Sequence, residues 1–181
     1  MTRTVLSPDR LGIKHYEHRA LLEIRGLFAS NTFIHDPDQC VDKPDGFNMN
    51  VSLDEGDCGT TGCIGGWMFA AMQRDRAAPC VTAHGYVSNY RSQALGPLFF
   101  PFCDIKMRDL LDQDGSTYDF PFDLLPPAFA LAAIDNFLAT GDPDWPSATG
   151  LRNIEVGSPC SATSESLFFA CLNASICTLP F

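Results

Sequence analysis

The chain has 181 residues, of which 45% are hydrophobic and 19% are charged, and its formal net charge is −10. This length and composition are typical of one globular domain with a full core, and the excess of acidic residues argues against direct nucleic-acid binding, since phosphate contacts need lysine and arginine. The chain has neither the run of roughly 20 apolar residues that spans a membrane nor the apolar core of a signal peptide. We therefore expect a cytoplasmic protein that does not bind membranes.

The eight cysteines are spaced irregularly along the chain. A cytosolic protein keeps its thiols reduced, so we expect free cysteines and no disulfides. The two closely spaced pairs of a structural zinc site are missing, which favours a protein without a metal or a cofactor. We predict that most of these thiols are buried and act as small hydrophobic side chains. The cysteines are Cys40, Cys58, Cys63, Cys80, Cys103, Cys160, Cys171 and Cys177.

The first part of the chain predicts a helix, a loop and a short strand. Apolar residues recur at helical spacing over residues 15–30, and a turn-rich acidic loop follows over residues 31–46. Next, Phe47, Met49 and Val51 alternate with polar residues, which is the pattern of a short strand or hairpin with one buried face. The apolar residues of the helix are Leu21, Leu22, Ile24, Leu27 and Phe28.

A cysteine- and glycine-rich motif follows that strand and dominates the chain. Thr60 or Thr61 is expected to cap a helix over residues 63–73 by accepting a bond from a backbone N–H. Gly65 and Gly66 disfavour a helix, so their presence indicates that another backbone passes close to this turn. The acidic residues before the motif, Asp54, Glu55 and Asp57, are read as a loop. The motif comprises Phe47, Met49, Cys58, Gly59, Thr60, Cys63, Gly66 and Trp67, and the predicted buried helix face comprises Cys63, Trp67, Ala70 and Ala71.

The second half of the chain adds further helices. Short helices are predicted within residues 87–102 and over residues 106–112, and a longer one begins at Pro126 and Pro127 and ends before Gly141. We thus expect a mainly α domain over residues 1–146, with four or five helices around the Cys63 helix, and a mixed α+β arrangement as the alternative. Residues 147–181 are rich in small and polar residues and are predicted to form an irregular tail with a short apolar segment.

The motif also carries a family resemblance. Phe-x-Met followed by Cys-Gly-Thr-x-x-Cys-Ile-x-Gly-Trp resembles a group of small uncharacterised proteins of phages and their bacterial hosts. The similarity continues over residues 94–99 and 132–145, where an Ile-Asp-x-Phe-Leu-x-Thr-Gly-Asp segment ends a helix. The group has no established activity. The resemblance implies a soluble, intracellular, phage-encoded protein, and it covers residues 18–146.

Catalysis by a thiol is one interpretation of the motif. A cysteine at a helix N-terminus lies near the positive end of the helix dipole, which favours the nucleophilic thiolate. The motif resembles the Cys-Gly-x-Cys-Trp segment of papain-like proteases, although Trp67 lies four residues after Cys63 and no glutamine precedes the motif at the usual distance. His84 is the sole histidine after the motif and the candidate base, so the enzyme hypothesis assigns Cys63 as nucleophile and His84 as base. The opposing interpretation is a buried structural cysteine beside a glycine-mediated contact.

A zinc-stabilised module is a further interpretation. Cys58 and Cys63 have four residues between them, at the loose end of zinc-ligand spacings, and Cys40, Cys80 and His84 are the candidates to complete a tetrahedron. The opposing interpretation is a set of reduced thiols without a ligand, because the second close pair is missing.

The leading hypothesis from sequence is a binding protein. We expect an acidic accessory protein of phage or mobile-element type that acts, without catalysis, by binding a host macromolecule. The net charge of −10 favours a protein partner with a basic surface.

Overall fold

The computed structural model describes residues 4–38, 45–56, 59–90, 93–101 and 122–150, which form helices and a small sheet. The strands are β1 (Ile34–His35), β2 (Gly46–Phe47), β3 (Leu53–Gly56) and β4 (Gly59–Gly62), and a 3-10 turn spans Phe122–Leu124. The helices are α1 (Pro8–Leu11), α2 (His15–Ala29), α3 (Ile64–Arg74), α4 (Ala83–Asn89), α5 (Gly96–Phe99), α6 (Pro127–Thr140) and α7 (Trp145–Ala148). The fold is therefore α+β with helix predominant, which agrees in part with the mainly α prediction.

The sheet has four strands in the order β1-β2-β4-β3. β1 runs parallel to β2 and β2 parallel to β4, whereas β3 pairs antiparallel with β4. β3 thus occupies one edge of the sheet. Its residues Asp54 and Glu55, which the sequence pattern assigned to an acidic loop, pair with Thr61 and Thr60.

The strand predicted around Phe47, Met49 and Val51 is shorter than expected, because β2 ends at Phe47. Asn48 causes this. Its side chain is buried, its Nδ2 donates to the Asp36 carbonyl at 2.9 Å, and its Oδ1 accepts from the backbone N–H of Asn50 at 2.8 Å. A hydrogen bond between an asparagine side chain and the backbone N–H two residues later forms an Asx turn. The alternation of apolar and polar residues over residues 47–51 therefore reflects a bend and not a strand.

Helix α3 lies at the centre of the domain. It packs against α2, α4, α5 and β4, and α6 also packs against α2. α6 begins and ends as predicted, with Pro127 in its first turn and Gly141 in the left-handed conformation at its end (φ 85°). The largest fully buried side chains join these elements into one core; among them are Tyr86, Phe47, Phe137, Leu21, Ile24, Ile64, Met68 and Met72.

Several sequence predictions lie outside the described residues. They include the helix over residues 106–112 and most of the predicted tail, since the description ends at Gly150. The boundary proposed at residue 146 falls within α7. Among the residues described, no helix is both long enough and apolar enough to cross a membrane.

Candidate functional site

Cys63 caps the N-terminus of α3. Its Sγ accepts a hydrogen bond from the backbone N–H of Gly66 at 3.4 Å, and the thiol donates to the carbonyl oxygen of Ser52 at 3.6 Å. The cap predicted at Thr60 or Thr61 is wrong, because both residues lie in β4. The β-branched Thr61 instead points into the core, where its hydroxyl donates to the Asp36 carboxylate at 2.7 Å.

The two glycines of the turn allow close packing on two sides; the predicted close backbone is found at Gly66, whereas Gly65 faces side chains. A Cβ built on Gly66 would lie 1.4 Å from the carbonyl oxygen of Ser52. A Cβ on Gly65 would lie 2.7 Å from Cγ2 of Val87. The backbone that leads into β3 therefore crosses directly over the first turn of α3, at a distance that a side chain at Gly66 does not permit.

The aromatic residues of the motif hold this turn against the sheet. Trp67 is half-buried, its Nε1 donates to the carbonyl oxygen of Gly46 at 3.0 Å, and its ring lies 4.8 Å from that of Phe33. Phe47 is fully buried and meets the ring of Phe28 at 5.1 Å, edge to face. These contacts tie α3, β2 and α2 together and give the motif a structural role.

The buried surface of α3 is wider than the single predicted face. Trp67 and Ala70, expected on that face, are only half-buried, while Cys63 and Ala71 are buried as expected. The sheet, α2, α4 and α5 surround the helix, so burial extends around most of it. Its other buried residues are Ile64, Gly65, Gly66, Met68, Phe69 and Met72. Of the remaining motif residues, Met49 is buried, Gly59 and Thr60 are half-exposed, and Cys58 lies outside the described residues.

Burial raises the pKa of the Cys63 thiol above its usual value of 9.0. The backbone N–H groups of Gly66 and Gly65 act in the opposite direction, but desolvation is the larger effect. With 2% of its surface exposed, Cys63 is a protonated thiol at neutral pH. The position of Cys63 at the helix N-terminus agrees with the sequence prediction. The raised pKa disagrees with the enzyme hypothesis, which expects an activated thiol.

His84 lies near Cys63 without contacting it. The ring is exposed at the start of α4, its Nδ1 lies 3.4 Å from the hydroxyl of Ser52, and its Nε2 lies 3.4 Å from the hydroxyl of Ser88. Cys63 and His84 thus share Ser52 as a neighbour, one through its carbonyl and the other through its hydroxyl. Among the described residues no hydrogen bond joins the thiol to the imidazole, so this arrangement does not supply a general base for Cys63.

A cleft of about 190 Å³ opens beside the Cys63 turn. Its walls are formed by the N-cap of α3, by residues at α4, α5 and the 3-10 turn, and by the chain before β3. It is lined by Met49, Asn50, Ser52, Cys63, Val87, Phe99, Phe100 and Phe122.

The candidate zinc ligands are only partly described. Cys40 and Cys58 lie outside the described residues, while Cys63 and Cys80 are free thiols. In the ranges that the structure covers, no group of three or more histidine, cysteine or acidic side chains is arranged to hold a metal ion.

The acidic edge formed by β3 is the feature that the sequence interpretation missed. Asp54 and Glu55 are exposed, and no lysine or arginine of the described chain lies within salt-bridge distance of either. The paired threonines and flanking glycines of β4 were the available signal, since β-branched residues favour strands. Acidic residues are depleted in strands, which is why the pattern of β3 indicated a loop.

Three described arginines, on α2 and α3, form ion pairs with acidic residues. Arg19 meets Asp75 at 3.2 Å, Arg25 meets Asp135 at 2.6 Å, and Arg74 meets Glu23. These pairs neutralise the surface around α2, α3 and α6. Because Asp54 and Glu55 have no basic partner within the described ranges, they give that edge a local negative charge.

Comparison of the chain with protein-family models, with curated proteins and with solved structures gave no match in any of the three.

Proposed function

We propose that this chain is a non-enzymatic, acidic binding protein that receives an extended, basic segment of a host protein along the outer edge of β3. The observation that carries the proposal is the exposed edge strand, whose Asp54 and Glu55 have no basic partner in the described chain. The phage or mobile-element setting is supported by the sequence resemblance alone.

The backbone of β3 supports this mode of binding. An edge strand presents unpaired N–H and C=O groups, and an extended peptide that pairs with them adds a strand to the sheet. β4 occupies one side of β3, and the other side is the outer edge of the four-stranded order. The main-chain bonds would supply affinity, and the side chains on either face would supply selectivity.

The charge of β3 supports a basic partner. Successive side chains of a strand point to opposite faces, so Asp54 and Glu55 place one carboxylate on each face of the edge. Acidic side chains at a sheet edge repel other acidic strands and attract lysine and arginine. The net charge of −10 adds a longer-range field that speeds the approach of a basic molecule.

Charge reversal at β3 tests the proposal. Random decapeptides would be displayed and selected on the native protein, and we expect the enriched peptides to be rich in lysine and arginine. The double variant Asp54→Lys, Glu55→Lys should weaken their binding at least about tenfold, because two attractive contacts become repulsive. The measurement is peptide affinity by fluorescence anisotropy at fixed ionic strength.

A matched control separates local contacts from net charge. Asp9→Lys, Asp38→Lys changes the total charge equally at two other exposed sites and should change affinity less than about threefold. N-methylation of alternate backbone amides, along the edge of the bound peptide that faces β3, should abolish binding, as strand pairing requires. Equal losses in the two double variants, or no enrichment over an unrelated acidic protein, would contradict the proposal.

A further inference from the structure

The cleft beside the Cys63 turn adjoins the start of β3 through Ser52. Ser52 lines the cleft and is the residue immediately before β3, which begins at Leu53. A segment that paired with β3 would therefore have one of its ends close to the cleft. Strand residues advance by about 3.3 Å, so a single residue beyond the paired stretch spans the distance from Leu53 to Ser52.

The size and walls of the cleft suit an apolar side chain. Its volume of about 190 Å³ exceeds the roughly 150 Å³ of an apolar cavity that holds benzene. Five of its lining residues are apolar: Met49, Val87, Phe99, Phe100 and Phe122. A phenyl ring or a branched aliphatic side chain would fill such a space and replace water there.

Two of the polar groups at the cleft already have partners within the protein. The Cys63 thiol donates to the Ser52 carbonyl, and the Ser52 hydroxyl lies at hydrogen-bond distance from Nδ1 of His84. Polar side chains of a ligand would compete with these bonds and gain little. This favours an apolar occupant over a polar one.

We propose that the cleft binds a large apolar side chain, phenylalanine or leucine, of the same basic segment that pairs with β3. The inference rests on the proposed function and adds its specificity: the partner sequence carries basic residues over the paired stretch and one apolar anchor at the end next to Ser52. A buried apolar anchor beside a polar, charged contact is the usual arrangement of a binding hot spot and its rim.

The test blocks the cleft and leaves the acidic edge intact. Asn50 is exposed, lines the cleft, and its side-chain amide makes no hydrogen bond in the part of the chain described, so Asn50→Phe places a ring over the opening without altering the core. Gln73→Phe is the matched control, since Gln73 is exposed near the other end of α3. The probes are the peptides selected on the native protein and their versions with the apolar anchor changed to alanine.

We expect anchor-to-alanine peptides to lose at least about tenfold in affinity for the native protein and Asn50→Phe to lose as much for the parent peptides. The two changes together should add little, and Gln73→Phe should bind as the native protein does. Some peptides could lose affinity on β3 charge reversal and yet bind equally well without the apolar anchor, or equally well to Asn50→Phe. That result would overturn the cleft inference but would not contradict the proposed function. If the selected basic peptides bound the Asp54→Lys, Glu55→Lys variant as tightly as the native protein, both the cleft inference and the proposed function would be overturned. Binding of free toluene at the cleft, with no effect of the peptide anchor, would assign the cleft to a small molecule and also overturn the inference.

Discussion

Gly66→Ala is expected to cost at least about 3 kcal/mol of unfolding free energy, because the new methyl group meets backbone and not a movable side chain. The added Cβ would lie 1.4 Å from the carbonyl oxygen of Ser52 and 2.6 Å from its carbonyl carbon. Relief requires the chain before β3 to move away from α3, which also breaks the bond from the Cys63 thiol to Ser52. Alanine gains only about 1 kcal/mol over glycine from helix propensity. Urea unfolding, followed by circular dichroism, measures the change.

Gly26→Ala is the control for that experiment. Gly26 lies inside α2, is exposed, and an added Cβ would meet no atom within 4 Å. The substitution should therefore stabilise the protein by about 0.5–1 kcal/mol through helix propensity and the reduced entropy of the unfolded chain. Similar effects of the two substitutions would show that the crossing of Ser52 over α3 is not as close as described.

Glu17→Ala should be the second large effect, a loss of about 3 kcal/mol, because a buried carboxylate holds three donors. Glu17 is 1% exposed, its Oε1 accepts from the hydroxyl of Tyr86 at 3.3 Å and from that of Tyr90, and its Oε2 accepts from the backbone N–H of Lys14 at 2.8 Å. Burial, and then the nearby carboxylate, raise the pKa of Tyr86, so its hydroxyl remains a donor. Alanine would leave that buried hydroxyl without an acceptor. Unfolding in urea at neutral pH gives the cost.

Two comparisons identify the cause of a Glu17 effect. Glu17→Gln keeps the volume and one acceptor oxygen and should cost about 1 kcal/mol, as for the loss of one ordinary hydrogen bond. In a Tyr86→Phe, Tyr90→Phe background, Glu17→Ala should cost clearly less than in the native protein, since the orphaned donors are gone. Equal costs in both backgrounds would mean that the tyrosines do not depend on Glu17.

Local chemistry in the sequence was enough to locate the main helices and the close contact at the motif. Pro127 and Gly141 define the ends of α6 because each residue has a strong backbone preference at its position. Gly65 and Gly66 predicted a close neighbour because a helix without a packing reason does not retain two adjacent glycines. The sequence did not say that the neighbour is Ser52, since that contact depends on the tertiary path of the chain.

The errors arise where tertiary contacts override local pattern. Asn48 is polar yet fully buried, because its side chain bonds to the backbone of Asp36 and Asn50, and the resulting turn imitated strand alternation. Asp54 and Glu55 form a strand despite poor strand propensity, because pairing with β4 supplies the partners.

The sequence predicted only part of the candidate site. Cys63 does lie at a helix N-terminus, as its place before a buried helix indicated. Its burial agrees with its predicted place on the buried face of the helix, and that burial opposes activation of the thiol, since desolvation outweighs the N–H groups that favour a thiolate. The acidic edge escaped prediction because exposure on a sheet edge is a property of strand order.

We expect the Cys63 turn to act as a scaffold without thiol chemistry, and alkylation of the native thiols tests this expectation most directly. Native protein at pH 7 would be treated with iodoacetamide for timed intervals, and each cysteine followed by peptide mass spectrometry. We predict that Cys63, 2% exposed and protonated, reacts at least about 100-fold more slowly than in the urea-unfolded chain, while the half-buried Cys80 reacts faster than Cys63. Alkylation of native Cys63 as fast as in the unfolded chain would contradict the scaffold role and would make Cys63 a candidate nucleophile again.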